Sequence, residues 1–185
     1  MIGYAFSGSF CTFSDSFSEF SRIIDGGNEV IPIFSENAYT TDTRFFAAKD
    51  FVAMVEEKAK RKAVHTITEA EKFGQNRLDY LIISPCTGNT LAKIASGITD
   101  TSVTMAAKAH LRCDGKLLIA LASNDAMSQN LKNIAALLTR KSVYLVPLRQ
   151  DNPTGKPHSL VADFSKIPDA FAAMKKDIQL RPLFL

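Results

Sequence analysis

Lys116–Ala122 (KLLIALA) is an unbroken apolar run after its first residue. A strand with one wet face alternates polar with apolar, so a run without alternation reads as a strand buried on both faces, typical of the middle of a parallel sheet. Parallel neighbours need long crossovers, usually helices. The rest of the chain supplies them. Ile2–Phe6, Glu29–Phe34, Tyr80–Ser84 and Ser142–Pro147 read as further strands, with Val64–Ile67 a brief one containing His65. Between them apolar residues recur at helical period: Phe10, Phe13, Phe17, Phe20, Ile23 and Ile24; Phe51, Val52, Val55 and Ala59 within Lys49–Arg61; Val103–Leu111; Leu131, Ile134, Ala135 and Leu138, expected to face inward, within Met127–Thr139; and Ile167–Ile178. Pro32 marks its strand as irregular or near an edge, and Pro85, which has no N–H for a ladder, should end the central strand. The pattern is a three-layer α/β sandwich with a parallel sheet and helices on both faces, and 185 residues suit one domain spanning 1–185.

Composition narrows the partners. The net charge of +3 is spread along the chain, and the densest basic run, Lys58–Lys62, falls at a helix end, where cations suit the dipole. Nucleic acid is therefore not an expected partner. Cys11, Cys86 and Cys113 are odd in number and form no C-x-x-C pair, which argues against a disulfide framework or a structural zinc site and for a reducing compartment. No segment reaches the ~20 apolar residues of a membrane span and the N-terminus lacks a basic n-region. The expectation is a cytoplasmic protein with no membrane partner and no metal.

In open α/β sheets ligands bind beyond the carboxyl ends of the strands. Four small-polar clusters fall there: Ser7–Ser9, Ser35, Ser84–Thr90 and Ser123–Asp125. Each alone has a plain reading as turn and cap chemistry, with Ser9 an N-cap. Four after successive strands describe a crevice lined with hydroxyls and amides. Ser84–Thr90 precedes a helix opening near Thr90, whose unpaired N–H groups suit phosphate or carboxylate. The long segments Ser35–Phe46 and Leu148–Ser159 read as loops, the second a candidate flap. Lys108, His110 and Arg112 read as a solvated face. Cys86, near a helix N-terminus, could serve as a nucleophile through a lowered pKa, but with no base identifiable beside it the favoured reading is small-residue packing against a ligand.

Longer motifs add a resemblance. PCTGNTLAKIASGITD resembles the PASANT motif of the homo-oligomeric flavin-containing cysteine decarboxylases; SGSF resembles their first phosphate-binding turn; and ALASNDAM keeps Asn124 and Met127 of their P-x-M-N-x-x-M-W motif, with Leu121, Ser123 and Ser128 in place of Pro, Met and Trp. Within that superfamily TDTRF, PCTGNT, GITDTSVTMAAKAHLR and QDNPTGKPHSLVA resemble the B subunits of dipicolinate synthases over nearly the whole chain. The resemblance implies a flavodoxin-like or Rossmann-like sheet and an FMN site. Gly8, Ser9 and Ser35 would face its phosphate, and Pro85, Cys86, Thr87, Asn89 and Thr90 would border the cofactor. It also implies a trimer-based homo-oligomer with sites between subunits, and a dehydrogenase-like A subunit that supplies NADP. Together the subunits would convert a dihydro- or tetrahydrodipicolinate to dipicolinate in the mother cell of a spore former. For such a cyclic dicarboxylate the candidate ligands are Arg44, His110 and Lys156, with Asn124 donating to a carboxylate oxygen. Leu148–Ser159 lacks the decarboxylases' flap cysteine, and His65 has different neighbours from their active-site histidine. Two alternatives stand beside this reading: a stand-alone FMN-dependent cysteine decarboxylase and a non-catalytic accessory subunit.

Overall fold

The computed structural model describes residues Met1–Leu185. Its strands are β1 (Ile2–Phe6), β2 (Val30–Phe34), β3 (Tyr80–Thr87), β4 (Lys116–Ser123), β5 (Val143–Leu145), β6 (Leu148–Arg149) and β7 (Leu160–Ala162). The helices are α1 (Phe13–Asp25), α2 (Glu36–Thr40), α3 (Ala48–Ala59), α4 (Ile67–Glu71), α5 (Gly88–Ser96), α6 (Ser102–Leu111), α7 (Leu131–Leu138) and α8 (Ile167–Lys175). The sheet runs β2-β1-β3-β4, and all of these neighbours are parallel. Parallel β5 lies against Leu117–Ile119 of β4, and antiparallel β7 takes over at Ala122 and Ser123. Strand order therefore reverses between β1 and β3, the flavodoxin-type switch point.

Both faces are covered, by α1, α3 and α8 on one side and by α5, α6 and α7 on the other. Forty-eight buried residues form the core. On the α1 face it is aromatic: Phe6 stacks on Phe34 with centroids 5.0 Å apart, and Phe13 on Phe51 at 4.5 Å. Tyr4 carries a hydroxyl into this layer and donates it to the Ser16 carbonyl at 3.0 Å, while Ser16 Oγ donates to the Ser84 carbonyl at 2.5 Å. These bonds satisfy the buried polar groups and tie α1 to β1 and β3.

Several expectations change here. β3 does not end at Pro85. Its register with β4 shifts between Ile83 and Cys86, so the proline sits in an irregularity where the ladder asks for no N–H, and the strand continues to Thr87. The sheet is not wholly parallel, because β6 and β7 pair antiparallel; at two and three residues they are too short to leave a periodic signal. Pro32 does lie in the edge strand, where Val64 bridges to Ile33. Ser35–Phe46 contains α2, capped by the Ser35 hydroxyl accepting from the Ala38 N–H at 3.3 Å. Ser9 makes no side-chain cap; its carbonyl instead accepts from Thr12, and a 3-10 turn at Phe10–Thr12 precedes α1. α7 begins at Leu131 rather than Met127, with Leu131 exposed and Ile134 and Leu137 inward. His110 is not on a solvated face: its ring is buried, with Nε2 2.9 Å from the Lys116 carbonyl oxygen.

Candidate functional site

At the carboxyl ends of β1 and β3 the chain leaves a crevice, and Ser7 holds its two walls together. The Ser7 hydroxyl accepts from the Thr87 N–H at 2.9 Å and donates to the Pro85 carbonyl at 2.8 Å, and the Ser7 N–H reaches the same carbonyl at 3.1 Å. Thr87 then caps α5, accepting from the Thr90 N–H at 3.1 Å and donating to the Thr90 hydroxyl at 2.9 Å. Gly88 and Asn89, the first residues of α5, have N–H groups with no intrahelical partner, and the helix brings its partial positive charge to the same spot.

The crevice has two arms. The smaller, about 330 Å³, has no apolar residue in its wall; Ser35, Asn37, Thr90 and Thr101 line it, together with Glu36 and the Lys93–Asp100 pair, whose 2.8 Å contact holds the Asp100 carboxyl below its ordinary range. The larger, about 640 Å³, runs from Ser9 and Phe10 past Arg44 and Phe45 to Ala122–Asp125, Lys156 and Val161. Gly8, Thr87 and Asn89 line both. The donor set of the small arm, hydroxyls and helix-terminal amides, suits a phosphoryl group, and the large arm has room and apolar surface for a flat ring. The residues present therefore fit a phosphate-ended cofactor.

Of the residues singled out from sequence, Gly8, Ser9, Ser35, Arg44, Thr87, Asn89, Thr90, Asn124 and Lys156 line these arms. Arg44 is exposed, its guanidinium 4.9 Å from the Phe45 ring centroid. Lys156 lies 3.4 Å from the Asp151 carboxylate. Pro85 and Cys86 lie behind the wall and are buried, and burial pushes the Cys86 thiol far above its ordinary range, so it stays protonated. His110 is in the core beside the start of β4, away from both arms.

The polar group packed under Gly88 was not expected from the sequence. Asp125 Oδ1 accepts from the Ser123 hydroxyl at 2.5 Å and from Asn130 Nδ2 at 2.9 Å, and these bonds hold its carboxyl below the ordinary range. Their packing leaves no space at Gly88, where a Cβ would stand 2.3 Å from Ser123 Oγ and 2.6 Å from Asn130 Nδ2. Ser123 and Asp125 fall in a cluster visible in the sequence; Asn130 joins them through a turn without a periodic pattern.

The chain and its fold are similar to those of known proteins. Residues 6–174 match the family described as Flavoprotein. The chain is 33% identical to the B subunit of dipicolinate synthase of Bacillus subtilis (strain 168) over all 185 residues and 92% of that protein. It superposes on the crystal structure of the B subunit of dipicolinate synthase from Bacillus halodurans C with a TM-score of 0.91, at 33% identity, covering 100% of this chain and 95% of that one. A dodecameric FMN-dependent Ubix-like decarboxylase from Escherichia coli O157:H7 is similar at a TM-score of 0.65 and 25% identity, over 80% of each chain.

Proposed function

The chain belongs to the flavoprotein family, and from that premise we propose that it is the B subunit of a dipicolinate-forming oxidoreductase of a spore-forming cell. In this reading it converts a dihydro- or tetrahydrodipicolinate to dipicolinate together with a dehydrogenase-like A subunit that supplies NADP. One observation carries the reading: an amide- and hydroxyl-lined arm opens into a larger arm with Arg44, Lys156 and Asn124 in its wall. The 33% identity to such a protein over the full chain supports it.

FMN is the cofactor that suits the two arms, and when bound it supplies redox chemistry that side chains lack. The chain's own work is binding and orientation. Gly8, Ser9, Ser35, Thr87, Asn89 and Thr90 would hold the phosphate end, with the Gly88 and Asn89 amides as donors. Pro85 and Cys86 support that wall from behind. Arg44 and Lys156 would take the substrate carboxylates as charge-assisted pairs, and the Asn124 amide would donate to a carboxylate oxygen. Phe10 and Phe45 would screen the ring from water. The assembly in this reading is a trimer-based homo-oligomer whose sites are completed between subunits.

A stand-alone cysteine decarboxylase draws no support from the flap or the histidine. Leu148–Ser159 has no cysteine, and the His65 ring stacks on Tyr39 at 4.0 Å, outside both arms. The test is to co-purify the chain with the dehydrogenase-like subunit and assay each alone and together. Dipicolinate formed only by the pair supports the reading; carbon dioxide released from cysteinyl substrates by this chain alone overturns it.

A further inference from the structure

Four charged side chains line the larger arm: Arg44, Asp125, Asp151 and Lys156. Asp151 already faces Lys156 across 3.4 Å. Asp125 has no cation against it. Both of its bonds, from Ser123 at 2.5 Å and Asn130 at 2.9 Å, fall on Oδ1, so the carboxylate is fixed in place while Oδ2 takes neither. The Gly88 Cα closes over this trio, where any Cβ would clash. A fixed anion in a crevice whose cations are set for carboxylates calls for a ligand with a hydrogen to donate.

We propose that Asp125 is a specificity-determining residue: its Oδ2 accepts from the ring nitrogen of a cyclic dicarboxylate carried in an N–H form, as an enamine or protonated imine, and disfavours the aromatic pyridine dicarboxylate. The inference rests on the dicarboxylate reading above. In a 2,6-dicarboxylate the ring nitrogen lies between two carboxylates, so a site that reads it must set one acceptor among cations. Arg44, Lys156 and Asp125 all line the larger arm and together provide such a set. A reduced ring with N–H gives a charge-assisted bond to Asp125. The pyridine nitrogen instead presents a lone pair, which a carboxylate repels. Asp125 thus holds the substrate form and weakens retention of the product.

The test is calorimetric titration of the full-length chain, with FMN present and metal-free buffer, using piperidine-2,6-dicarboxylate and pyridine-2,6-dicarboxylate as probes. The wild type is expected to bind the piperidine at least about tenfold more tightly, the factor expected of one charge-assisted hydrogen bond. In Asp125→Asn, with its fold checked by circular dichroism, the ratio is expected to fall to about two or below. Equal binding of both probes by the wild type, or an undiminished ratio in Asp125→Asn, overturns the inference and leaves the dicarboxylate reading standing. Binding of neither probe overturns both. Where Asp125→Asn does not fold, Asp125→Ser, titrated with the same two probes, supplies the variant arm, and an undiminished ratio there overturns the inference.

Discussion

The Ser7 hydroxyl accepts the Thr87 backbone N–H at 2.9 Å, joining the ends of β1 and β3 across 80 residues of sequence. The same oxygen donates to the Pro85 carbonyl at 2.8 Å. One buried side chain thereby aims the start of α5 into the crevice and occupies polar groups on the irregular segment after Ile83. Ser7→Ala leaves the Thr87 N–H and one bond of the Pro85 carbonyl unmet, which costs about 1–3 kcal/mol. Urea unfolding is expected to show that loss, with weaker FMN binding by fluorescence quenching under conditions where the variant is folded.

Two glycines in the crevice wall should behave differently. A Cβ at Gly88 meets Ser123 Oγ at 2.3 Å, whereas one at Gly8 meets only ordinary contacts, the nearest at 3.6 Å. Gly88→Ala is expected to destabilise by about 1–3 kcal/mol, as overpacking does, and to disturb the Asp125 trio. Gly8→Ala should unfold at nearly the wild-type urea midpoint, and any effect should fall on ligand affinity.

Arg44 and Lys156 are solvent-facing, so truncating them should leave stability within about 0.5 kcal/mol. With the reconstituted pair, Arg44→Ala and Lys156→Ala are each expected to impair dipicolinate formation through a KM raised about tenfold or more. Unchanged steady-state kinetics in both variants would remove these residues from the substrate site.

Cys86 is buried and its thiol is held protonated, whereas Cys11 is exposed. In the native protein iodoacetamide is expected to modify Cys11 and spare Cys86, as read by peptide mass spectrometry. Cys86→Ala is expected to retain turnover. Loss of turnover in a folded Cys86→Ala would restore the thiol to the chemistry.

Burial lowers the His110 pKa, with the Lys116 carbonyl partly opposing the shift. A histidine whose folded pKa lies below its unfolded one favours the folded state while neutral. Its stabilisation is present above the unfolded value of about 6.5 and is lost as pH falls from there through the folded value. The urea midpoint is expected to drop on acidification below about pH 6.5, and His110→Gln should flatten that part of the profile.

Much of this was legible in the residues. KLLIALA and the helical repeats specify a mainly parallel sheet with covered faces, because unbroken and 3.6-period apolar patterns have few other uses. The polar strand ends likewise marked the crevice, since the topology brings successive carboxyl ends to one side. What stayed hidden depends on tertiary placement. Pro85 continues a strand only because the register shifts beside it. His110 is buried only because a turn brings the Lys116 carbonyl to its ring. Asn130 reaches Asp125 through a turn that no local pattern announces.

In the proposed function, the crevice at the β1/β3 switch point holds both the flavin and the dicarboxylate. A crystal structure of the chain grown with FMN and piperidine-2,6-dicarboxylate tests it directly. Phosphate density is expected against Gly8, Ser35 and the Gly88–Asn89 amides, and the dicarboxylate among Arg44, Asn124, Asp125 and Lys156. Either ligand bound elsewhere on the chain, or an empty crevice at saturating concentrations of both, would contradict it.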